Sequence, residues 1–125
     1  MKTDKFSFKS RLGSLKFAFK GLGALLKNEH NARIHLVVAL IAITSGMILN
    51  INAFEWSLLV IIIGIVFITE ILNTSLETLA DFVQPEWDEK IRMAKDYSAA
   101  AVMISAIISI IVGGIIFIPK ILDLF

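Results

Sequence analysis

Three long apolar runs constrain the fold of this 125-residue chain more than any other feature. They cover residues 34–51, 56–68 and 99–118, and only a few polar side chains interrupt them. A helix needs roughly 20 apolar residues to cross about 30 Å of hydrocarbon. Hydrophobic residues make up 57% of the sequence, more than a soluble domain of this length can bury. The sequence therefore predicts an all-α membrane protein with three transmembrane helices.

We expect these spans at about 33–52, 56–83 and 96–118, within one domain that covers residues 1–125. None of them resembles a cleavable signal peptide, because the first begins more than thirty residues into the chain. The sequence contains no cysteine, so disulfide bonds are excluded.

The basic residues predict how the spans are oriented. Eight of the 12 Lys and Arg residues precede the first span, and Lys90, Arg92 and Lys95 lie between the second and third. The connection between the first two spans, residues 50–55, has none. Because Lys and Arg favour the cytoplasmic side of a bilayer, we expect a cytoplasmic N-terminus and an outer C-terminus.

Residues 6–28 precede the first span and mix apolar with basic side chains. The apolar ones recur every three or four residues, as one face of a helix requires. They are Phe8, Leu12, Leu15, Phe19, Leu22 and Leu26. The segment is too charged to span, so it predicts an amphipathic helix at the cytoplasmic membrane surface, with its lysines near anionic lipids.

Polar side chains follow one face of the second span. Glu70 lies 14 residues after Trp56, about 21 Å along a helix, and Asn73, Glu77 and Asp81 fall within about 80° of the same face. Asp81 alone can be read as an ordinary solvated residue. An intramembrane carboxylate such as Glu70 costs several kcal/mol unless it is paired or faces water, so it indicates a functional site.

Carboxylates on one face near the membrane surface suit a hard cation, most plausibly Mg²⁺. Glu29, before the first span, is expected at a similar depth. Lys95 and Asp96 stand at the start of the third span, where Lys95 is either a topological anchor or a phosphate ligand. His30 and His35 are five residues apart, which does not favour a two-histidine metal site.

Three segments together resemble one family. "EILNTSLETLADF" and "AKDYSAAAV" are similar to the two signatures of the small bacterial membrane diacylglycerol kinases and undecaprenol kinases. "FKGLGALLKNEHNARIHL" is similar to the N-terminal segment of that family. The resemblance covers roughly residues 8–118, with the motifs in the right order and spacing.

The resemblance implies a homotrimer in the bacterial cytoplasmic membrane that transfers the γ-phosphate of MgATP to the hydroxyl of a membrane lipid. It implies Glu70 as the catalytic base, Glu29 and Glu77 as ligands of Mg²⁺, and Asn73 and Asp81 in supporting roles. The implied ATP-binding residues are Phe17, Glu29, Glu77, Glu86, Lys95 and Asp96. The expected partners are ATP, the bilayer and a lipid alcohol, and no nucleic acid.

Two positions depart from the family pattern. Ser75 stands where the signature usually has Ala, and Phe17 stands where the best-studied branch has Tyr. Phe17 keeps an aromatic face but removes a hydroxyl contact to ATP. "NARIHL" and "EW" at residues 55–56 look more like the branch that prefers undecaprenol, so undecaprenol is the expected acceptor over diacylglycerol.

Two other interpretations come from different functional classes. A small channel or ion-coupled transporter subunit could use Glu70 as its ion site, but it would not explain Lys95, Asp96 and Glu29 at one level. A noncatalytic assembly or regulatory subunit is the third interpretation. Mg²⁺-dependent phosphorylation of extracted lipids by ATP would separate the kinase from both.

Overall fold

The computed structural model describes residues 5–125, and every regular element in this range is an α-helix. Three helices are long and apolar enough to cross a membrane, which confirms the predicted fold class. The helices are α1 (Phe8–Asn28), α2 (His30–Ile48), α3 (Ala53–Val83) and α4 (Glu89–Leu122).

Helix α1 is the predicted amphipathic helix. The Ser7 hydroxyl caps it by accepting a hydrogen bond from the Ser10 amide, and Lys27 lies in its last turn, where a cation favours the helix dipole. Leu25 is the buried residue of this helix, while apolar side chains such as Phe8 and Phe19 are exposed. An apolar face that no other helix covers is expected of a helix that lies on a membrane. The location of α1 at the membrane surface stays a prediction.

A single extended residue, Glu29, separates α1 from α2. Its backbone has φ −109° and ψ 117°, and its amide donates to the Leu25 carbonyl, closing α1 before α2 begins at His30. The chain therefore bends at Glu29, and this bend carries the carboxylate towards α3.

The turn between α2 and α3 explains why the first span ends earlier than residue 52 and the second begins before residue 56. Asn50 has a φ of 52°, a left-handed conformation that asparagine tolerates and a helix cannot continue. The Asn52 side chain then accepts a hydrogen bond from the Glu55 amide, and Glu55 accepts one from the Asn52 amide. This capping box starts α3 at Ala53.

At the other end of α3, residues 84–88 lead into α4. The Asp88 carboxylate accepts hydrogen bonds from the amides of Lys90 and Ile91, at 2.9 and 3.1 Å, and so starts α4 at Glu89. The helix thus begins before residue 96, where the sequence placed the start of the third span. Lys95 consequently projects from a helix rather than from a loop.

Helices α3 and α4 form the main packed pair and run antiparallel. Lys120, near the end of α4, makes an ion pair of 3.2 Å with Glu55 at the start of α3. Midway along the pair, the hydroxyls of Thr69 and Ser105 hydrogen bond at 2.9 Å. The buried core beside them consists of Ile51, Leu59, Ile62 and Ile116. These contacts fix the register of α4 against the polar face of α3.

A close approach between α2 and α3 depends on Gly46. A Cβ atom at this position would lie 2.9 Å from Cδ1 of Ile51 and 3.0 Å from Cη2 of Trp56. The same atom at Gly64 of α3 would meet no heavy atom within 4 Å. An alanine at residue 46 would therefore force the Ile51 or Trp56 side chain to shift where the start of α3 packs on α2.

We predict that Gly46→Ala destabilises the protein by about 1–3 kcal/mol relative to Gly64→Ala, because overpacking has this cost. Gly64→Ala is the control, since both substitutions raise the helix propensity of a helical position by the same amount. Thermal denaturation of the purified variants in detergent measures the difference. Equal midpoints for the two variants would contradict the close approach.

Candidate active site

Glu70 is the centre of the candidate site, on α3 just after the packed middle of the helix. Its relative exposure is 1%, and its Oε2 atom has no hydrogen-bond partner. The nearest cationic candidate is Nε2 of His35, at 3.6 Å. A buried carboxylate without a hydrogen bond is costly, which marks Glu70 as a position kept for a purpose other than stability.

Two further carboxylates act electrostatically on Glu70. They belong to Glu29, at the bend between α1 and α2, and to Glu77, two turns further along α3. Among residues 5–125, no three Asp, Glu or His side chains lie close enough to bind one ion by themselves. Mg²⁺ in phosphoryl-transfer sites commonly uses one or two carboxylates and completes its coordination with phosphate oxygens and water, so the binding of Mg²⁺ by Glu29 and Glu77 stays a prediction.

Unpartnered polar atoms continue along the same stretch of α3. Oδ1 of Asn73 and Oγ1 of Thr74 are buried and have no hydrogen-bond partner in this structure. The great majority of buried polar atoms in folded proteins are paired, so these two are available to a ligand. Asn73 was predicted to support the site, and its position next to Glu70 and Glu77 is consistent with that role.

A polar cleft of about 540 Å³ lies where α3 ends and α4 begins. Five of the residues that the sequence assigned to the site line it, namely Glu77, Asp81, Glu86, Lys95 and Asp96. The Lys95 ammonium contacts the Asp81 carboxylate across the cleft. The Asp81 side chain is 66% exposed, as that of a solvated residue can be, and the cleft carries both a cation and several carboxylates.

The remaining two predicted ATP-binding residues lie elsewhere in the single chain. Glu29 lines a second cavity, of about 780 Å³, between α1 and α3. Phe17 lies on α1 with an exposure of 73% and lines neither this cavity nor the polar cleft. Their contact with ATP stays a prediction.

An apolar cavity of about 400 Å³ lies on the other side of Glu70, between α2, α3 and α4. The α3 residues that line it run from Leu59 to Phe67, and its polar lining includes His35. Along α3, therefore, the apolar cavity comes first, then Glu70, then the polar cleft that begins at Glu77. Glu70 thus lies between the two spaces along α3, and it is not among the residues that line either of them.

Sequence reasoning missed His35. It compared this residue only with His30, five positions away, and rejected a shared metal site. The contact with Glu70 joins α2 to α3 across a large separation in sequence, so no local spacing reveals it. The one available signal was a polar ring inside an apolar run, which is the same signal that identified Glu70.

The sequence also matches a known family. A model described as prokaryotic diacylglycerol kinase matches residues 16–117. The chain belongs to this family. It is 32% identical to an undecaprenol kinase of Bacillus subtilis over 86% of this chain and 87% of the relative. It is 35% identical to a diacylglycerol kinase of Escherichia coli, covering 76% of this chain and 78% of the relative.

A third relative, a diacylglycerol kinase of Synechocystis sp., is 34% identical over 90% of this chain. The chain spans 65% of that relative's length. Membership of the family confirms the prediction of a lipid kinase and, with the three long apolar helices, that of a multi-pass bacterial membrane protein. It argues against the channel and the noncatalytic subunit.

Proposed function

We propose that this protein transfers the γ-phosphate of ATP directly to the hydroxyl of a membrane lipid alcohol, in a reaction that requires Mg²⁺. The position of Glu70 carries the proposal, because it lies between an apolar cavity and a polar cleft on one helix. A lipid hydroxyl and a water-soluble phosphate donor can meet only at such a boundary. The acidic cluster and Lys95 lie on the polar side of it.

Glu70 acts as the general base in this proposal. Its carboxylate accepts the proton of the lipid hydroxyl while the hydroxyl oxygen bonds to the γ-phosphorus and the bond from that phosphorus to ADP breaks. Phosphoryl transfer depends mainly on positioning and charge neutralisation, so one base and a correctly held donor suffice. Burial removes competing water from the carboxylate.

The donor is held by the polar cleft. The Lys95 ammonium is the cation placed to contact phosphate oxygens there. Asp81 holds Lys95 through their ion pair, and Asp96 and Glu86 line the same cleft. Asn73 offers an unpartnered oxygen on α3, one turn before Glu77. Phe17 supplies an aromatic surface for the nucleotide from α1.

Glu29 and Glu77 would hold the Mg²⁺ ion. Glu29, at the bend between α1 and α2, lines the cavity between α1 and α3, whereas Glu77 lines the polar cleft. When bound, the ion would offset the negative charge of the phosphate groups.

The proposed acceptor is undecaprenol rather than diacylglycerol. Residues 31–36 and Glu55 with Trp56 look like the undecaprenol branch, and the Bacillus subtilis relative that covers most of this chain is named an undecaprenol kinase. Relatives named diacylglycerol kinases have similar identity, so the acceptor has to be tested directly.

We also propose that the protein is a homotrimer with its N-terminus and α3–α4 connection in the cytoplasm and its C-terminus outside. The concentration of Lys and Arg before α2 and at the start of α4 supports this orientation. Exposed apolar side chains on all three long helices leave surface for lipid and for other copies of the chain.

The assay that tests the function uses the purified protein with radiolabelled ATP, Mg²⁺ and either undecaprenol or diacylglycerol in mixed micelles. We expect the label to appear in a product that is soluble in organic solvent. The rate and kcat/KM should both be higher with undecaprenol than with diacylglycerol. A higher kcat/KM for diacylglycerol would overturn the acceptor, and transfer to neither lipid would overturn the function.

We predict that Glu70→Gln lowers turnover at least about 100-fold, since general-base catalysis contributes roughly 10²–10⁴-fold and the substitution barely changes volume. Binding of MgATP and the oligomeric state should not change. Turnover close to that of the unmodified protein would remove Glu70 from the role of base.

We predict that Glu29→Ala and Glu77→Ala each raise the Mg²⁺ concentration needed for half-maximal activity, because each removes an anionic ligand. If the two hold one ion, their effects are strongly non-additive in a double-mutant cycle. Glu89→Ala, which removes an exposed carboxylate at the start of α4 that lines none of these cavities, is the control. Additive losses would indicate separate sites.

We predict that Lys95→Ala lowers the affinity for ATP roughly 10- to 150-fold, because a charged hydrogen bond is worth about 1.5–3 kcal/mol. The affinity for the lipid acceptor should change little. Lys95→Arg restores activity only in part, since a planar fork replaces a compact charge. Titration of ATP at saturating lipid measures the change. If Lys95 is only a topological anchor, Lys95→Arg has full activity. Correctly inserted Lys95→Ala then shows the same dependence of activity on ATP concentration as the unmodified protein.

A further inference from the structure

His35 contacts the proposed base and has no role in the function described so far. We infer that His35 is a positioning residue that holds the Glu70 carboxylate in the orientation needed to take a proton from the acceptor. This inference rests on the proposed role of Glu70. It assigns to α2 a part in the reaction, whereas the other proposed residues lie on α1, α3, α4 and the connections between them.

The geometry of the pair supports this role. Nε2 of His35 lies 3.6 Å from Oε2 of Glu70, and the two side chains are 20% and 2% exposed. This separation is longer than a hydrogen bond, and a shift of roughly 0.5–0.8 Å would form one. Hydrogen bonds in active sites are often long without substrate and shorten when it binds. Oε2 has no other hydrogen-bond partner, so the shift would satisfy a buried acceptor.

Charge favours the same pairing. Three groups act electrostatically on Glu70: His35 from α2, Glu29 from the bend between α1 and α2, and Glu77 from α3 itself. The two glutamates repel an ionised Glu70, whereas His35 donates an N–H in its neutral Nε2 tautomer and in its charged form. From α4, the neighbouring Ser105 hydroxyl bonds to Thr69. His35 is thus the donor that faces the base.

The imidazole ring is itself held in place. Its centroid lies 6.5 Å from that of Phe67, with the two rings at 72°, an edge-to-face arrangement. Phe67 precedes Glu70 by about one turn of α3, so both partners of His35 belong to the same helix. The ring also lines the apolar cavity, whereas Glu70 is not among the residues that line it.

A fixed donor on one oxygen leaves the other oxygen for the reaction. With Oε2 held by His35, Oε1 is the atom that receives the proton of the lipid hydroxyl. A base that is oriented by a third group is a recurring arrangement in enzymes, because it lowers the number of unproductive orientations.

The test compares His35→Phe, which keeps a ring but removes the donor, with His35→Gln, whose amide N–H can reach a similar position. We expect His35→Phe to lower kcat at least about 10-fold, as loss of a hydrogen bond to a charged group does, with the KM for ATP unchanged. His35→Gln should regain most of this loss. Equal activity of all three proteins, or equal losses in both variants, would overturn the positioning role.

A double-mutant cycle with Glu70→Gln separates this inference from the function on which it rests. If His35 acts through Glu70, adding His35→Phe to Glu70→Gln lowers the residual rate less than about 2-fold. Additive losses would contradict the inference. A fully active Glu70→Gln would instead contradict the proposed base, whatever His35 does.

An NMR measurement tests the contact between His35 and Glu70 without any assay of activity. The chain has two histidines, so the ¹⁵N spectrum of histidine-labelled protein in micelles contains two imidazole rings. We expect Glu70→Gln to shift the Nε2 resonance of His35 and to leave that of His30 unchanged, because His30 is exposed at the start of α2. An unchanged His35 resonance would show that the pair does not form in solution.

Discussion

The candidate site is arranged around one carboxylate that is buried on a helix able to cross a membrane. Glu70 is 1% exposed, and one of its oxygens has no hydrogen-bond partner. A charge in such surroundings needs a partner or water, and the structure offers His35 at 3.6 Å. The other features of the candidate site are described by their position relative to Glu70. Along α3, the apolar cavity lies before it and the polar cleft after it.

The packing of α3 on α4 keeps these features in register. The Glu55–Lys120 ion pair and the Thr69–Ser105 hydrogen bond tie the helices together before Glu70, and the Asp81–Lys95 pair joins them after it. Because Asp81 and Lys95 are both accessible to solvent, their pair adds little to stability.

Sequence patterns predicted the architecture because each signal is local. Apolar run lengths identify the spans, and the 3.6-residue period places Glu70, Asn73, Glu77 and Asp81 on one face of α3. The helix ends depended on caps: Asn50 and Asn52 end α2 and start α3 at positions that hydropathy alone misplaces. Lys95 was expected at the same membrane level as the acidic face of α3; Glu77 and Lys95 line one cleft, and its binding of ATP stays a prediction.

Contacts between helices could not be read from the sequence. The approach of His35 to Glu70 depends on how α2 packs against α3, and the tight contact of Gly46 with Trp56 is another contact between these two helices. The separation of Glu29 and Phe17 from the polar cleft likewise depends on where α1 lies. Chemistry that spans two helices appears only once their packing is known.

The most direct test measures at which end of α3 the metal–nucleotide complex binds. Mn²⁺ bound with a non-hydrolysable ATP analogue can replace Mg²⁺ at oxygen ligands, and the cysteine-free chain accepts a single spin label at an introduced cysteine. Labels at Trp87 and Asn50 mark opposite ends of α3, roughly 45 Å apart by helix rise. We predict a shortest Mn²⁺–nitroxide distance under about 20 Å from residue 87 and over about 30 Å from residue 50. A metal nearer to residue 50, or equally far from both, would contradict the account.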